Sequence, residues 1–293
     1  GPMPVTDIKL ATRPSRARNG IRTIAVISGK GGAGKTTIAT NLSLALAASG
    51  QRTMLLDADL GMANADILLG LHPEYTLLDV INGQHHLKDI LVSGPHNLML
   101  IPAASGRREL ATLDSTTCAG LVRAFSELAD RIDTLVVDTE SGISDSITTF
   151  ARAAHDVLIV TGEEPASLKD NAALVRHLHA EQGITRFQLM TNMVENARAG
   201  EMTCQAFRRS LDDLHEVTVS YAGFVPQDPA MRRASMAHKP VIESFPRSRA
   251  AMAIANLAHR ASLWPLARVA GGHMEFFVER LIKQNNVEME VKS

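Results

Sequence analysis

The chain has 293 residues, 45% hydrophobic and 21% charged, enough apolar material for one sizeable α/β core. Its 30 Lys and Arg face 31 Asp and Glu, so the formal net charge is −1, which argues against a surface coated for nucleic acid and leaves room only for a local basic patch. Aromatic residues make up 4%, so the core must be built from Leu, Ile, Val, Ala and Met. The two cysteines, Cys118 and Cys204, form no CxxC and have no His at metal-ligand spacing, which points to reduced thiols in the cytoplasm. No signal-like leader or bilayer-length apolar run is expected, and Gly1-Pro2 ahead of Met3 reads as a cleavage remnant.

Residues 1–20 are polar, carry Lys9, Arg13, Arg16 and Arg18, and are interrupted by Pro4 and Pro14; they read as a flexible basic tail. Ile21–Ser28 is an apolar strand entering a Gly-rich turn, and Gly34–Ser49 is an Ala/Leu-rich helix. Strands follow at Thr53–Asp57 and Leu98–Ile101, a capped amphipathic helix at Ser115–Arg131, and a further strand at Thr134–Asp138. Asp156–Thr161, Arg186–Thr191 and Ser220–Val225 complete the strand set, with helices between them. Strands alternating with helices predict a doubly wound, mostly parallel sheet covered on both faces, with right-handed crossovers. The expected division is a tail over 1–20, one α/β domain over 21–264, and a hinge and amphipathic helix over 265–293, set off by Trp264-Pro265 and Gly271-Gly272.

The segment Gly29-Lys30-Gly31-Gly32-Ala33-Gly34-Lys35-Thr36-Thr37 sits between a strand and a helix, and Gly29-x₄-Gly34-Lys35-Thr36 meets the P-loop spacing in full. Glycines let successive N–H groups curl round an anion, and the helix N-terminus adds positive potential. Lys35 is expected at the β- and γ-phosphates of ATP or ADP, and the Thr36 hydroxyl on Mg²⁺. Lys30 is unusual: a second lysine in the loop is costly without an anion of its own, and from a flexible loop it reaches outward, toward a neighbouring site. Asp57 and Asp59, two residues apart at a strand end, face the same way, toward the phosphates. Asp138 closes an apolar strand as a Walker-B acid does and is expected to hold Mg²⁺, and the N–H of Gly142 is available to a γ-phosphate.

The loop Lys30-Gly31-Gly32-Ala33-Gly34-Lys35-Thr36 resembles the deviant phosphate loop of the MinD/ParA class of ATPases. The resemblance implies that Lys30 reaches the partner's ATP in an ATP-dependent homodimer. It also implies that Asp59 positions the attacking water, that Asp57 supports the metal shell, and that basal turnover is slow. Asn192, with Pro226 and Asp228 in support, matches positions where the class holds adenine, and Glu164 falls in a loop that reaches the partner. One departure is Asp138-Thr139-Glu140-Ser141-Gly142, where the class has small residues before the glycine. Glu140 either points away, pairs with an Arg, or tunes turnover.

Within that class the chain is most similar to the flagellar-number family, FleN/FlhG. The similarity rests on Leu55–Asn64, Ile101–Gly106, Ser244–Ser248, Trp264–Leu266 and Gly272–Leu281, while Thr161-Gly162-Glu163-Glu164 departs from its pattern. It implies control of flagellum number or placement, with the flagellar GTPase FlhF and the transcription activator FleQ as partners. Met274, Phe277, Val278, Leu281 and Ile282 form one apolar stripe at helical spacing. Such a helix either lies in a membrane interface or docks on its own domain; the resemblance implies a switch between the two, with the cytoplasmic protein visiting the inner membrane or cell pole when ATP-bound. The rival readings are a DNA-partition ATPase, which needs a basic dimer face, an iron–sulfur carrier, which needs interface cysteines, and an ATP-binding scaffold with little turnover.

Overall fold

The computed structural model describes residues 21–30, 34–58, 65–102, 127–128, 130–143 and 145–265. Among these, eight strands form one sheet: β1 (Arg22–Ile27), β2 (Thr53–Asp57), β3 (Val92–Ser93), β4 (Met99–Pro102), β5 (Thr134–Asp138), β6 (Asp156–Thr161), β7 (Arg186–Val194) and β8 (Thr218–Pro226). The order is β3-β4-β2-β5-β1-β6-β7-β8, and every pair is parallel except the β3–β4 edge. β1, β2 and β5 are buried along their whole length, as apolar runs such as Thr53-Met54-Leu55-Leu56 require when both faces are covered.

Strand alternation divides the core. Ile24, Val26, Leu55 and Val136 face α1 (Lys35–Ala48) and a C-terminal helix (Arg249–Ser262), whereas Ala25 and Ile27 face helices Asp145–Ala153 and Pro165–Gln182, and Met54 and Leu56 pack with Phe150. Short helices α2 (Ala65–Leu68), α3 (Leu77–Ile81) and α4 (Leu87–Ile90) connect β2 to the β3–β4 edge. The remaining helices are α5 (Asp145–Ala153), α6 (Pro165–Gln182), α7 (Ala197–Arg209), α8 (Pro229–Met236), α9 (Val241–Ser244) and α10 (Arg249–Ser262). From β1 the chain crosses to β2 on one side, and from β5 it passes over β1 to β6 on the other. The carboxyl end of β1 is therefore the switch point where open α/β sheets bind ligands.

The doubly wound sheet agrees with the sequence reading. The structure adds β3, α2, α3 and α4, and extends β7 and β8 to Val194 and back to Thr218. The expected helix over Ser115–Arg131 falls largely outside the described residues; near its end Leu128 is buried in the core.

At the amino end of the sheet, Arg22 is 6% exposed. Its Nη1 donates to Asp156 Oδ2 at 3.0 Å and its Nη2 to the Trp264 carbonyl at 2.5 Å. Burial pushes the Asp156 carboxyl above its ordinary range, with the charge and hydrogen bond of Arg22 offsetting part of that. Trp264, two residues past the end of α10, is thus fastened to the pole opposite the switch point. Removing one partner of a buried pair strands the other charge. Arg22→Met is expected to destabilise the fold by about 3 kcal/mol in urea unfolding, and adding Asp156→Asn should recover part of the loss.

Candidate nucleotide site

Ser28 and Gly29 leave β1 at the switch point. A Cβ on Gly29 would collide with the backbone carbonyl of Asp170 in α6, so glycine is required for close approach. The Gly29 N–H donates to Asn171 Oδ1 at 2.8 Å. Gly31, Gly32 and Ala33 lie outside the described residues, as does Asp59. Gly34 has φ 78°, and a Cβ there would stand 2.6 Å from Asn192 Nδ2, so both conformation and packing exclude a side chain. It leads into α1, whose first turn carries no acidic residue and whose N-terminus suits an anion.

Lys35 is 4% exposed, and its Nζ forms an ion pair with Asp138 Oδ1 at the end of β5. Thr36 is buried beside it, and Thr37 is half-buried, with its carbonyl accepting from Asn41 Nδ2 at 2.9 Å. Lys30, from the same loop, is exposed. Asp57 and Asp138 are register partners at the carboxyl ends of adjacent strands β2 and β5, and the Ala58 N–H donates to the Asp138 carbonyl at 2.9 Å. The structure therefore gathers Lys35, Thr36, Asp57 and Asp138 at one place. A phosphate on Lys35 with a divalent cation on the carboxylates would give each buried charge a new opposite partner, so the donor set fits nucleotide and Mg²⁺.

Beyond β5, Thr139 Oγ1 donates to the Val26 carbonyl at 2.8 Å. Gly142, with φ 101°, donates its N–H to the Ser28 carbonyl at 3.0 Å. That differs from the expected phosphate contact: serving a γ-phosphate would require this backbone bond to be exchanged. Glu140 between them is half-buried.

On the other flank, Asn192 is 4% exposed and lies within β7 rather than beyond it. Met193 next to it has φ 56°, and the β7–β8 register shifts there, which turns the strand at the point where the Asn192 amide meets Gly34. Pro226 ends β8 opposite Val194. Asp228, expected as a supporting adenine position, has a different role for its side chain. One carboxylate oxygen accepts from the Ala230 N–H at 2.9 Å and the other from the Ala250 N–H at 2.9 Å, so it caps α8 and ties it to the first turn of α10. Burial alone would raise its carboxyl, but the two N–H groups and Arg249 outweigh that and hold it below the ordinary range. Glu164 is exposed at the start of α6, with its carboxylate folded over Gly162.

Sequence reasoning missed Asn171, Asn41, Ser28 and Thr139. A buried Asn inside an Ala/Leu-rich helix, as in Asp170-Asn171-Ala172-Ala173-Leu174, is the one local cue, because Asn is a poor interior helix residue without a specific partner.

A Gly-bounded loop between a central strand and a helix, a buried lysine on that helix and an acid on the adjacent strand define a P-loop nucleotide-binding protein. The chain matches, over residues 20–262, the ParA family model described as NUBPL iron-transfer P-loop NTPase. It is 45% identical over 263 residues to the antiactivator FleN of Pseudomonas aeruginosa, spanning 90% of this chain and 94% of that protein. It is 28% identical over 211 residues to the flagellum site-determining protein YlxH of Helicobacter pylori, spanning 72% and 71%. In structure it is similar to the septum site-determining protein MinD of Pyrococcus horikoshii complexed with Mg-ADP, with a TM-score of 0.63, 26% identity, and coverage of 81% and 94%. The chain belongs to the ParA/MinD family of P-loop NTPases, and its enzyme class is ATPase.

Gly34→Ala is expected to weaken ADP binding about tenfold or more in a fluorescent-nucleotide titration, since φ 78° and the Asn192 contact both resist a Cβ. Asp228→Ala removes two N-terminal acceptors at about 1 kcal/mol each. Because the folded carboxyl titrates below its ordinary value, that stability is present above the ordinary carboxylate range and is lost as pH falls through the lowered value. Wild type and variant should therefore converge in denaturant midpoint at low pH.

Proposed function

We propose that this ATPase is a nucleotide-gated switch that dimerises around ATP and sets flagellar number or placement. The observation that carries the reading is the contrast between the two lysines of one loop. Lys35 is sealed and already neutralised by Asp138, whereas Lys30 is exposed and projects from the loop beside it. An exposed lysine next to a phosphate site serves best when a second copy brings its own phosphates to it. Thr36 and Asp138, with Asp57 in support, would hold Mg²⁺, which would supply positive charge against the phosphates. Lys35 binds and orients phosphate, Asp59 orients the attacking water, and Lys30 adds charge from the partner side once the dimer excludes solvent.

Similarity to an antiactivator and to a flagellum site-determining protein supports the flagellar reading. An antiactivator acts on an activator, so FleQ is the proposed transcriptional partner and FlhF the proposed GTPase partner. Membrane association falls to the Met274–Ile282 segment, which lies outside the described residues; among the described residues no helix is long and apolar enough to cross a membrane. On this reading the protein works in the cytoplasm and is peripheral to the inner membrane or cell pole in the ATP state. Glu164, exposed at the start of α6, is assigned to the partner-facing loop. The iron–sulfur reading gains no support from Cys204, which is buried in α7 with its thiol pushed up by burial.

The test is the molar mass in solution of wild type, Asp59→Ala and Lys30→Ala with Mg-ADP and with Mg-ATP. A dimer that forms only with ATP, accumulates in Asp59→Ala and is strongly weakened in Lys30→Ala is expected. A mass indifferent to nucleotide would overturn the switch and leave a scaffold.

A further inference from the structure

We propose that Asn171 is a positioning residue for Lys30, and that it makes the partner-facing loop and the phosphate loop move as one body. The inference rests on the dimer reading above and assigns it a mechanical part. Asn171 is 2% exposed on the inner side of α6. A buried amide persists in a helix only when its polar atoms are bonded. Its Oδ1 accepts the Gly29 N–H at 2.8 Å, and its Nδ2 donates to the Val160 carbonyl near the end of β6 at 3.4 Å. The absence of a Cβ on Gly29 lets the loop backbone lie directly on the α6 backbone at Asp170.

One turn earlier on the same face stands Ser167. Its Oγ accepts the Gly162 N–H at 3.0 Å and lies 3.2 Å from Thr161 Oγ1. The first two turns of α6 are thus bonded to the Thr161–Glu164 loop at Ser167 and to the phosphate loop at Asn171. Residues 28–30 are closed from within as well, since Ser28 Oγ donates to the Lys30 carbonyl at 3.2 Å. Lys30 therefore stands on a backbone seat whose nearest external fixture among the described residues is Asn171. A long, exposed lysine must lose its rotamer freedom to reach a target, and it does so productively only from a fixed base. Displacement of the Gly162–Glu164 loop by a partner is transmitted through α6 to that base. Lys35 and Thr36 are held separately, by α1 and Asp138, so loss of Asn171 falls on the contact across the dimer more than on nucleotide binding within one chain.

The experiment measures, for the full chain, the dimer dissociation constant in a non-hydrolysable ATP analogue with Mg²⁺ and the affinity for fluorescent ADP. The variants are wild type, Asn171→Ala, Lys30→Ala and the double variant. Asn171→Ala is expected to weaken dimerisation about tenfold or more, with ADP affinity changed less than about threefold, as expected for an unmade buried hydrogen bond. The double variant is expected to dimerise no worse than Lys30→Ala alone. Additive losses, or equal losses of dimerisation and ADP affinity, would show a merely structural amide and overturn the inference. Should the Ala variant fail to fold, Asn171→Ser takes its place with the same expected split. A wild type that stays monomeric with the analogue overturns the dimer reading together with this one, whereas a dimeric wild type with an unaffected Asn171 variant overturns this one alone.

Discussion

The buried ion pair between Lys35 and Asp138 is the constraint on which the rest of the site depends. Two charges withdrawn from water are costly unless each faces its opposite, and a sheet interior offers few ways to arrange that. Here the first residue of α1 meets the last residue of β5, and the meeting fixes where α1 starts relative to β1 and β5. The loop must then turn from β1 into α1 within a few residues, which is why Gly34 adopts φ 78° and why Asn192 packs where a side chain would have been. Asp57 follows from the same geometry. β2 pairs with β5 in a register that sets Asp57 opposite Asp138, so one pairing delivers two acids to one phosphate-facing edge. Nothing else in the described sheet brings two carboxylate strand ends into register beside a buried lysine.

β1 links this edge to the opposite pole. Its six residues span about 20 Å at the usual rise of a parallel strand. Arg22 at one end gathers Asp156 and the Trp264 carbonyl, and Ser28 just past the other end receives Gly142. The chain leaving α10 is thereby held at Trp264, at the pole away from the candidate nucleotide site, with α1 packed against α10 on one face of β1 and α6 on the other.

Features set by local pattern were legible in the sequence. Apolar runs ending in acid marked β2 and β5, Gly34-Lys35-Thr36 marked the loop and the start of α1, and the alternation of strands and helices marked the sheet class. What escaped reading is the set of polar side chains that hold backbone at long range. Asn171 and Gly29 are 142 residues apart in sequence, and Asn41 reaches the Ile242 N–H across 201. No periodicity records such a bond, because a single Asn carries the same local propensity whether or not a partner arrives. Asp228 is the converse case. Its place after a strand suggests a position beside adenine, and the structure shows that the Pro that follows it marks the start of α8 and that its carboxylate serves the orphan N–H groups of two helices. Cap chemistry in Asp228-Pro229 was readable; its second duty to Ala250 was not.

The unequal burial of the two lysines has an energetic consequence on the proposed reading. In water at physiological salt, an exposed ammonium and a phosphate attract only weakly at a few ångström, and beyond a Debye length of about 8 Å screening removes most of what remains. The same pair inside a closed interface is worth several times more. Lys35, sealed in each chain, binds phosphate strongly before any partner arrives. Lys30 contributes little until a second chain closes over it, so its interaction energy appears only on dimerisation and only when a terminal phosphate is there to meet it. A loop carrying one lysine of each kind thus separates binding from assembly: nucleotide of either form is held by the buried lysine, and the exposed one discriminates between them by joining two copies. That separation works only if the exposed lysine is delivered from a fixed seat, which is the mechanical reason for bonding Gly29 to a helix that also carries the partner-facing loop.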